Sequence, residues 1–423
     1  MSNITIQLSD FRAIKKAEVS ISDVTIMAGP NGSGKSTISQ LMNGLVNSIN
    51  NFQHDLEVDI YRNFRRDMAR IRRAIPDSES MRSLLASIND QQDDNVMFQI
   101  RNSLDVLNRV LVNMIGKEGI RDDVRRRIDY IIGEETLFSG SIEDRVQAYC
   151  DRLYDKYVTM SIELRQKQHA RRTEDLISSI VSNYAQISGL PADFMLWEGN
   201  HPVVDRDHFS DLLSLHKSIY INTSISVAST GFDSSSSRIK DMVTSDLPAS
   251  ADAEANKILK QLSLLIGGEI YLDKEIGSFL KYKGRTGVNI YLEDAASGIQ
   301  SLAILYRLLY AGMLDNETLL ILDEPESHLH PQWIVALAKI LLRINKQLGT
   351  KLLIASHCPD LVSAFYNLGK MYKMEGLQFY QSYLDGTDGK YVFKNCGGEI
   401  SDIFESFNIA LERIGDYGRM VSE

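Results

Sequence analysis

One stretch limits this chain more than any other: Gly29-Pro30-Asn31-Gly32-Ser33-Gly34-Lys35-Ser36-Thr37, placed directly after the apolar run Val24-Thr25-Ile26-Met27-Ala28. It fits the phosphate-binding pattern G-x-x-x-x-G-K-[ST] and demands a strand, a glycine-rich loop and a helix in that order. The glycines allow backbone angles that point successive N–H groups at one anion, and the helix opening at Lys35 aims its positive end at the same place. Gly29, Asn31, Gly32, Ser33, Gly34, Lys35, Ser36 and Thr37 are therefore the candidate nucleotide-phosphate residues. Lys35 would reach the β- and γ-phosphates, and the Ser36 hydroxyl would enter the shell of a Mg²⁺ ion.

The complement to that loop lies far downstream. Thr318-Leu319-Leu320-Ile321-Leu322 reads as a fully buried strand and ends in Asp323-Glu324. At the carboxyl end of a parallel strand, Asp323 would hold Mg²⁺ through water. Glu324, one residue on, would orient and polarise an attacking water.

The 423 residues, 43% apolar and 24% charged, suffice for a full core in two or three structural units. A net charge of -10 argues against coating nucleic acid by bulk charge, so any such contact must be local. Cys150, Cys358 and Cys396 are few and far apart, which gives neither a disulfide framework nor a metal-ligand spacing and fits a reducing cytoplasm. No signal segment and no spanning apolar run is visible, so membrane attachment would need a partner.

Along the chain, Ile4–Leu8 and Ala17–Ile21 alternate as half-buried strands, and Ile38, Leu41, Met42 and Leu45 keep helical spacing after the loop. Residues 55–187 change to helical periodicity: Phe64, Met68, Ile71 and Ile75, then Met97 to Met114, then Ile142 to Leu164, then Leu176, Ile180, Tyr184 and Ile187. Pro76, Gly116, Gly119 and Gly133 punctuate these pieces. Arg62, Arg66, Arg70 and Arg73 share one helix face, read as a solvated surface in preference to a contact with nucleic acid or an acidic partner. A strand resumes at Ser218–Ile221, followed by a serine-rich loop at 226–237, a helix through Ile258, Leu262 and Leu265, and strands at 269–272 and 288–292. The expected division is a head of 1–54 and 188–375, a helical insertion of 55–187, and a C-terminal extension of 376–423. In that extension Ile400, Ile403, Phe404, Phe407, Leu411 and Ile414 form an apolar stripe that could cover the core or dock a partner.

Ala295-Ala296-Ser297-Gly298-Ile299-Gln300 opens a helix before the Asp323 strand, and its free N–H groups could meet a γ-phosphate. With Asp323-Glu324-Pro325-Glu326-Ser327-His328-Leu329-His330-Pro331 and Leu352-Leu353-Ile354-Ala355-Ser356-His357, this resembles the ABC-type ATPase heads of the SMC, RecF and OLD kind, over about residues 1–50 and 255–365. The resemblance implies an α/β P-loop ATPase head with an inserted all-helical lobe, hydrolysing ATP to ADP and phosphate with Mg²⁺. It places Lys35, Ser36, Asp323, Glu324 and the switch histidine His357 in one copy, and Ser297 and Gly298 of a second copy across the same nucleotide, in a homodimer or higher oligomer. His328 and His330 have metal-like spacing but lack a third ligand cluster.

The likeness extends to stand-alone ATPase subunits of bacterial anti-phage systems of the Septu and PARIS types. That implies a cytoplasmic switch controlling a separate effector, expected to be a nuclease, with a phage protein or nucleic acid as trigger. After His357 no acidic cluster with lysine suggests a fused nuclease. The alternative is a DNA-repair ATPase of the RecF or SMC-head kind. A transporter subunit is disfavoured, because the signature is Ala-Ser-Gly-Ile-Gln and no glutamine loop is evident.

Overall fold

The computed structural model describes residues 3–74, 96–115, 126–127, 130, 132, 141–183, 189, 191, 193–222, 252–273, 279–386 and 388–405. Ile75, Pro76, Gly116, Gly119, Gly133, Tyr184, Ile187, the serine-rich loop and Phe407, Leu411 and Ile414 lie outside the described residues. The chain divides into two compact units, one of residues 1–50 with 172–423, the other of residues 51–171.

The first unit opens with β1 (Ile4–Phe11), β2 (Ile14–Ile21) and β3 (Val24–Ala28), and the phosphate loop then leads into α1 (Lys35–Asn50). The second unit is helical: α2 (Phe52–Ala74), α3 (Val96–Ile115) and α4 (Ile142–Ala170). Phe64, Met68 and Ile71 of α2 pack with Ile100, Leu104, Leu107 and Leu111 of α3 and with Val146 and Tyr157 of α4. The buried Tyr157 places its ring edge-on to Phe64 at 5.5 Å and donates its O–H to Asp67 at 2.7 Å, so a polar tip is satisfied inside an apolar seam. A Ser141–Asp144 capping box starts α4. On α2, Arg62 pairs with Asp59 at 2.6 Å and Arg70 with Asp67 at 3.6 Å, so acids on the same helix offset part of the arginine stripe.

The first unit resumes at α5 (Thr173–Asn183), then β4 (Phe194–Glu198), β5 (His201–Val204), β6 (Lys217–Asn222), α6 (Ala253–Ile266) and a small antiparallel sheet of β7 (Gly268–Asp273), β8 (Phe279–Gly284) and β9 (Asn289–Tyr291). It closes with α7 (Ser297–Tyr310), β10 (Thr318–Asp323), α8 (Pro331–Leu348), β11 (Lys351–Ser356), α9 (Pro359–Tyr372), β12 (Leu377–Leu384) and β13 (Tyr391–Gly397). Ten strands form one sheet in the order β5-β4-β1-β2-β13-β12-β3-β11-β10-β6. Neighbours from β12 to β6 run parallel. β3, β10 and β11 are buried at every position, which explains why they read as unbroken apolar runs, whereas β1 has one wetter face and alternates. The outer edge at β6 is closed by the Asn47 amide, which accepts from the Ser218 N–H at 3.0 Å and donates to the Ser218 carbonyl at 2.9 Å as a neighbouring strand would.

Three features depart from the expected division. The helical unit begins at Asn51 and ends at Arg171. α5 joins the first unit with Leu176 and Ile180 buried, since its apolar face lies against α1. β4 with β5, and β12 with β13, are further strands of the large sheet: β4 pairs β1, β12 pairs β3 and β13 pairs β2. Residues 377–397 therefore complete the head sheet and do not extend from it. Ile400 and Ile403 are buried in the head core, and Gln381 Nε2 donates to the Asp402 carbonyl at 2.8 Å, so this part of the apolar stripe is core packing. The strand expected to end at Leu292 stops at Tyr291, where a 3₁₀ turn begins.

Candidate active site

Parallel register brings the functional segments level. Ser356 of β11 lies opposite Ala28 of β3, and Ala355 lies opposite Asp323 of β10. The phosphate loop, the end of β11 and Asp323-Glu324 therefore emerge side by side at the carboxyl ends of the strands, where open parallel sheets bind ligands.

Gly29, Gly32 and Gly34 have φ of 153°, 78° and 97°, the region that favours glycine. Gly29 also has no room for a side chain: a Cβ there would stand 1.9 Å from Ser382 Oγ on β12. The same Ser382 hydroxyl donates to Ser33 Oγ at 2.8 Å, so β12 braces the loop from beneath. Gly29→Ala is expected to destabilise the protein by about 2 kcal/mol through strain and overlap, measured as a lower denaturant midpoint at unchanged slope; an unaltered midpoint would refute the bracing.

Asn31 and Gly32 are exposed at the loop tip, while Ser33, Lys35 and Thr37 are buried. Lys35 Nζ donates to the carbonyls of Gly29 at 2.9 Å and Pro30 at 2.8 Å. Burial pushes its pKa down, and the charges of Glu324, Asp323 and Glu326 push back.

Asp323 is 7% exposed. Its Oδ2 accepts the Tyr220 O–H at 2.8 Å, and its Oδ1 is buried without a hydrogen-bond partner. Burial raises this carboxyl's pKa, the Ser36 and Tyr220 hydroxyls lower it, Glu324 raises it and Lys35 lowers it. An orphaned buried carboxylate oxygen beside a serine hydroxyl suits a small hard cation that keeps most of its water and adds a phosphate oxygen. These residues fit Mg²⁺, with Ser36 and Asp323 as the groups that could hold it. Among the described residues no group of three His, Cys, Asp or Glu side chains could hold a metal on its own. His330 instead caps α8, its Nδ1 accepting the Gln332 N–H at 3.3 Å.

Glu324 leaves the strand at φ 52°, a left-handed conformation uncommon for a non-glycine residue. Its N–H donates to the Ala355 carbonyl at 2.9 Å, which pins the turn to β11. Its Oε1 lies 3.2 Å from His357 Nδ1. Glu326, 6% exposed, completes the group: its Oε1 accepts the Ser356 O–H at 2.6 Å and lies 3.8 Å from His357 Nδ1. Burial raises the Glu326 pKa and the Ser356 hydroxyl lowers it. His357 thus sits between two carboxylates, one partly exposed and one buried.

Ser297 and Gly298 occupy the first turn of α7, with the Ser297 side chain exposed. A Cβ on Gly298 would come within 3.0 Å of the His328 carbonyl, so glycine lets α7 press against the loop after β10. Gln300 Nε2 donates to the carbonyls of Glu293 at 3.0 Å and Ala295 at 2.8 Å, tightening the turn before the helix.

Sequence reasoning assigned no role to Tyr220, Ser382 or Glu326. Tyr220 and Ser382 carry no local motif. Glu326 stands inside the Asp-Glu-Pro-Glu run, where a third acid close behind Asp323 and Glu324 is the available signal.

Two family models match the chain: "AAA ATPase domain" over residues 1–188, and "AAA domain, putative AbiEii toxin, Type IV TA system" over residues 182–363. Each match covers less than half of the 423 residues, and together they run from residue 1 to residue 363. The energy-coupling factor transporter ATP-binding protein EcfA3 of Clostridium perfringens is 30% identical over 151 residues, covering 36% of this chain and 48% of that protein. The chain thus spans about half the length of that curated relative. Among solved structures, the SMC head domain from Thermotoga maritima is similar at a TM-score of 0.37 with 13% identity, over 93% of this chain and 99% of that one. An ATP-binding cassette of an ABC transporter in its ADP conformation gives a TM-score of 0.36 with 10% identity, over 96% and 98%. No described helix is long and apolar enough to cross a membrane.

Proposed function

We propose that this protein is an ATP-hydrolysing switch: two copies close around ATP·Mg²⁺, and the closure controls a separate effector, a nuclease, in bacterial anti-phage defence. The observation that carries the nucleotide chemistry is the meeting of Lys35, Ser36, Asp323, Glu324 and His357 at the carboxyl ends of β3, β10 and β11. Lys35 would exchange its loop carbonyls for β- and γ-phosphate oxygens, and the loop N–H groups would take the rest of the charge. Ser36 and Asp323 would hold Mg²⁺, which neutralises charge on the transferring phosphoryl group.

Glu324 would orient the attacking water and accept its proton as the new oxygen–phosphorus bond forms and the bond to the bridging oxygen of ADP breaks. His357, with Nδ1 3.2 Å from Glu324 Oε1, would report whether the γ-phosphate is present. Ser297 has an exposed hydroxyl at a helix start, which suits donation to nucleotide held by another copy. The toxin–antitoxin wording of the model matching residues 182–363 agrees with control of a toxic outcome.

Mixing two inactive variants tests the shared site. Lys35→Ala keeps the helix start of α7, and Ser297→Arg keeps the phosphate loop, so a mixed pair restores one complete site. Each variant alone is expected to be inactive and the mixture to recover turnover; no recovery would overturn the two-copy arrangement. Affinity capture with Glu324→Gln is expected to retain a nuclease. Capture of recombination proteins, with hydrolysis stimulated by DNA, would favour a repair role instead.

A further inference from the structure

Tyr220 stands on β6, one strand outside Asp323, with Asn222 level with Asp323 across the pair. Its ring is 2% exposed in a strand that apolar residues would fill equally well, so the hydroxyl needs a separate explanation. An ionised carboxylate offers acceptors only, so the phenol donates to Asp323 Oδ2 at 2.8 Å. The phenol oxygen in turn accepts from Gln40 Nε2 at 3.5 Å, an amide carried one turn beyond the phosphate loop on α1. This chain therefore links α1, β6 and β10 behind the carboxylate, while Asp323 Oδ1 stays buried without a hydrogen-bond partner.

Rotation about Cβ–Cγ would interchange the two carboxylate oxygens, and a buried phenol bonded to one of them removes that freedom. We propose that Tyr220 is a positioning residue for the divalent cation, binding Oδ2 so that Oδ1 is the oxygen left for the cation's hydration shell. This rests on the nucleotide-site reading above. Partners behind a metal-binding group commonly govern affinity by roughly ten- to a hundredfold, and a bond from a neutral phenol orients the carboxylate without cancelling its charge.

Full-length Tyr220→Phe removes one oxygen and preserves the packing shape. With ADP as the nucleotide, Mn²⁺ is titrated and followed by electron paramagnetic resonance, and binding of fluorescent ADP is measured separately in EDTA. The free Mn²⁺ needed for half-saturation is expected to rise about tenfold or more, with ADP affinity in EDTA unchanged. An unchanged Mn²⁺ requirement would overturn the proposal, and so would an equal loss of ADP affinity in EDTA, which signals general loosening of the site. Should Tyr220→Phe not fold, Gln40→Leu is expected to shift the Mn²⁺ requirement in the same direction by a smaller factor, and no shift would overturn it. Wild-type protein that binds no ADP with or without Mn²⁺ would defeat the nucleotide-site reading itself; normal wild-type binding with an unmoved variant defeats the positioning role alone.

Discussion

Lys35→Ala is expected to lower ATP affinity by at least about a hundredfold, enough to abolish binding at ordinary nucleotide concentrations. A hydrogen bond to a charged group is worth about 1.5–3 kcal/mol, and the ammonium would make two, to the β- and γ-phosphates, so about 3 kcal/mol is a lower bound. The side chain is placed for this: Lys35 is 4% exposed and its ammonium already lies against the Gly29 and Pro30 carbonyls of the loop. The substitution also removes the buried cation that bonds two loop carbonyls and faces Glu324, Asp323 and Glu326, so the melting temperature of nucleotide-free protein should fall. Titration calorimetry with ATP and Mg²⁺ reads the first effect and a thermal melt the second. Retained affinity in a folded variant would mean that the loop does not bind nucleotide.

Glu324→Gln should separate binding from turnover. The amide keeps the size and the left-handed backbone of Glu324, so ATP affinity should change by no more than about threefold. It cannot accept a proton, so the rate of phosphate release should fall by about 10²- to 10⁴-fold, the range that general bases contribute. Single-turnover phosphate release on preloaded protein makes the distinction directly. Turnover within about threefold of wild type would remove Glu324 from its role and move attention to Glu326, which shares His357 with it and is more deeply buried. Glu326→Gln is the matching control.

The segments that meet at the candidate site were visible in the amino-acid order because each is local. Three glycines at φ above 75° bend one short loop, a following helix start binds anions, and an unbroken apolar run ending in two acids describes a buried parallel strand and its end. The helical unit was visible for a similar reason, since its apolar spacing repeats with the period of its own helices. Its edges were not: α5 has the same periodicity as the helices before it, and only the surface it packs against decides which unit it joins. β12 was hidden because Gln378, Gln381 and Ser382 interrupt its apolar pattern, and the strand forms because β3 and β13 flank it.

Local chemistry therefore determined the phosphate loop, the helix it opens, the acids at the end of β10 and the helical character of the middle of the chain, because each depends on neighbours a few residues away. Tertiary structure alone decided that β11 lies between β3 and β10, that Tyr220 bonds Asp323, that Ser382 supports Gly29 and Ser33, and that Glu326 meets Ser356 and His357. Strand order and register are settled by burial across the whole sheet, and a buried polar group has meaning only through the partner that folding brings to it.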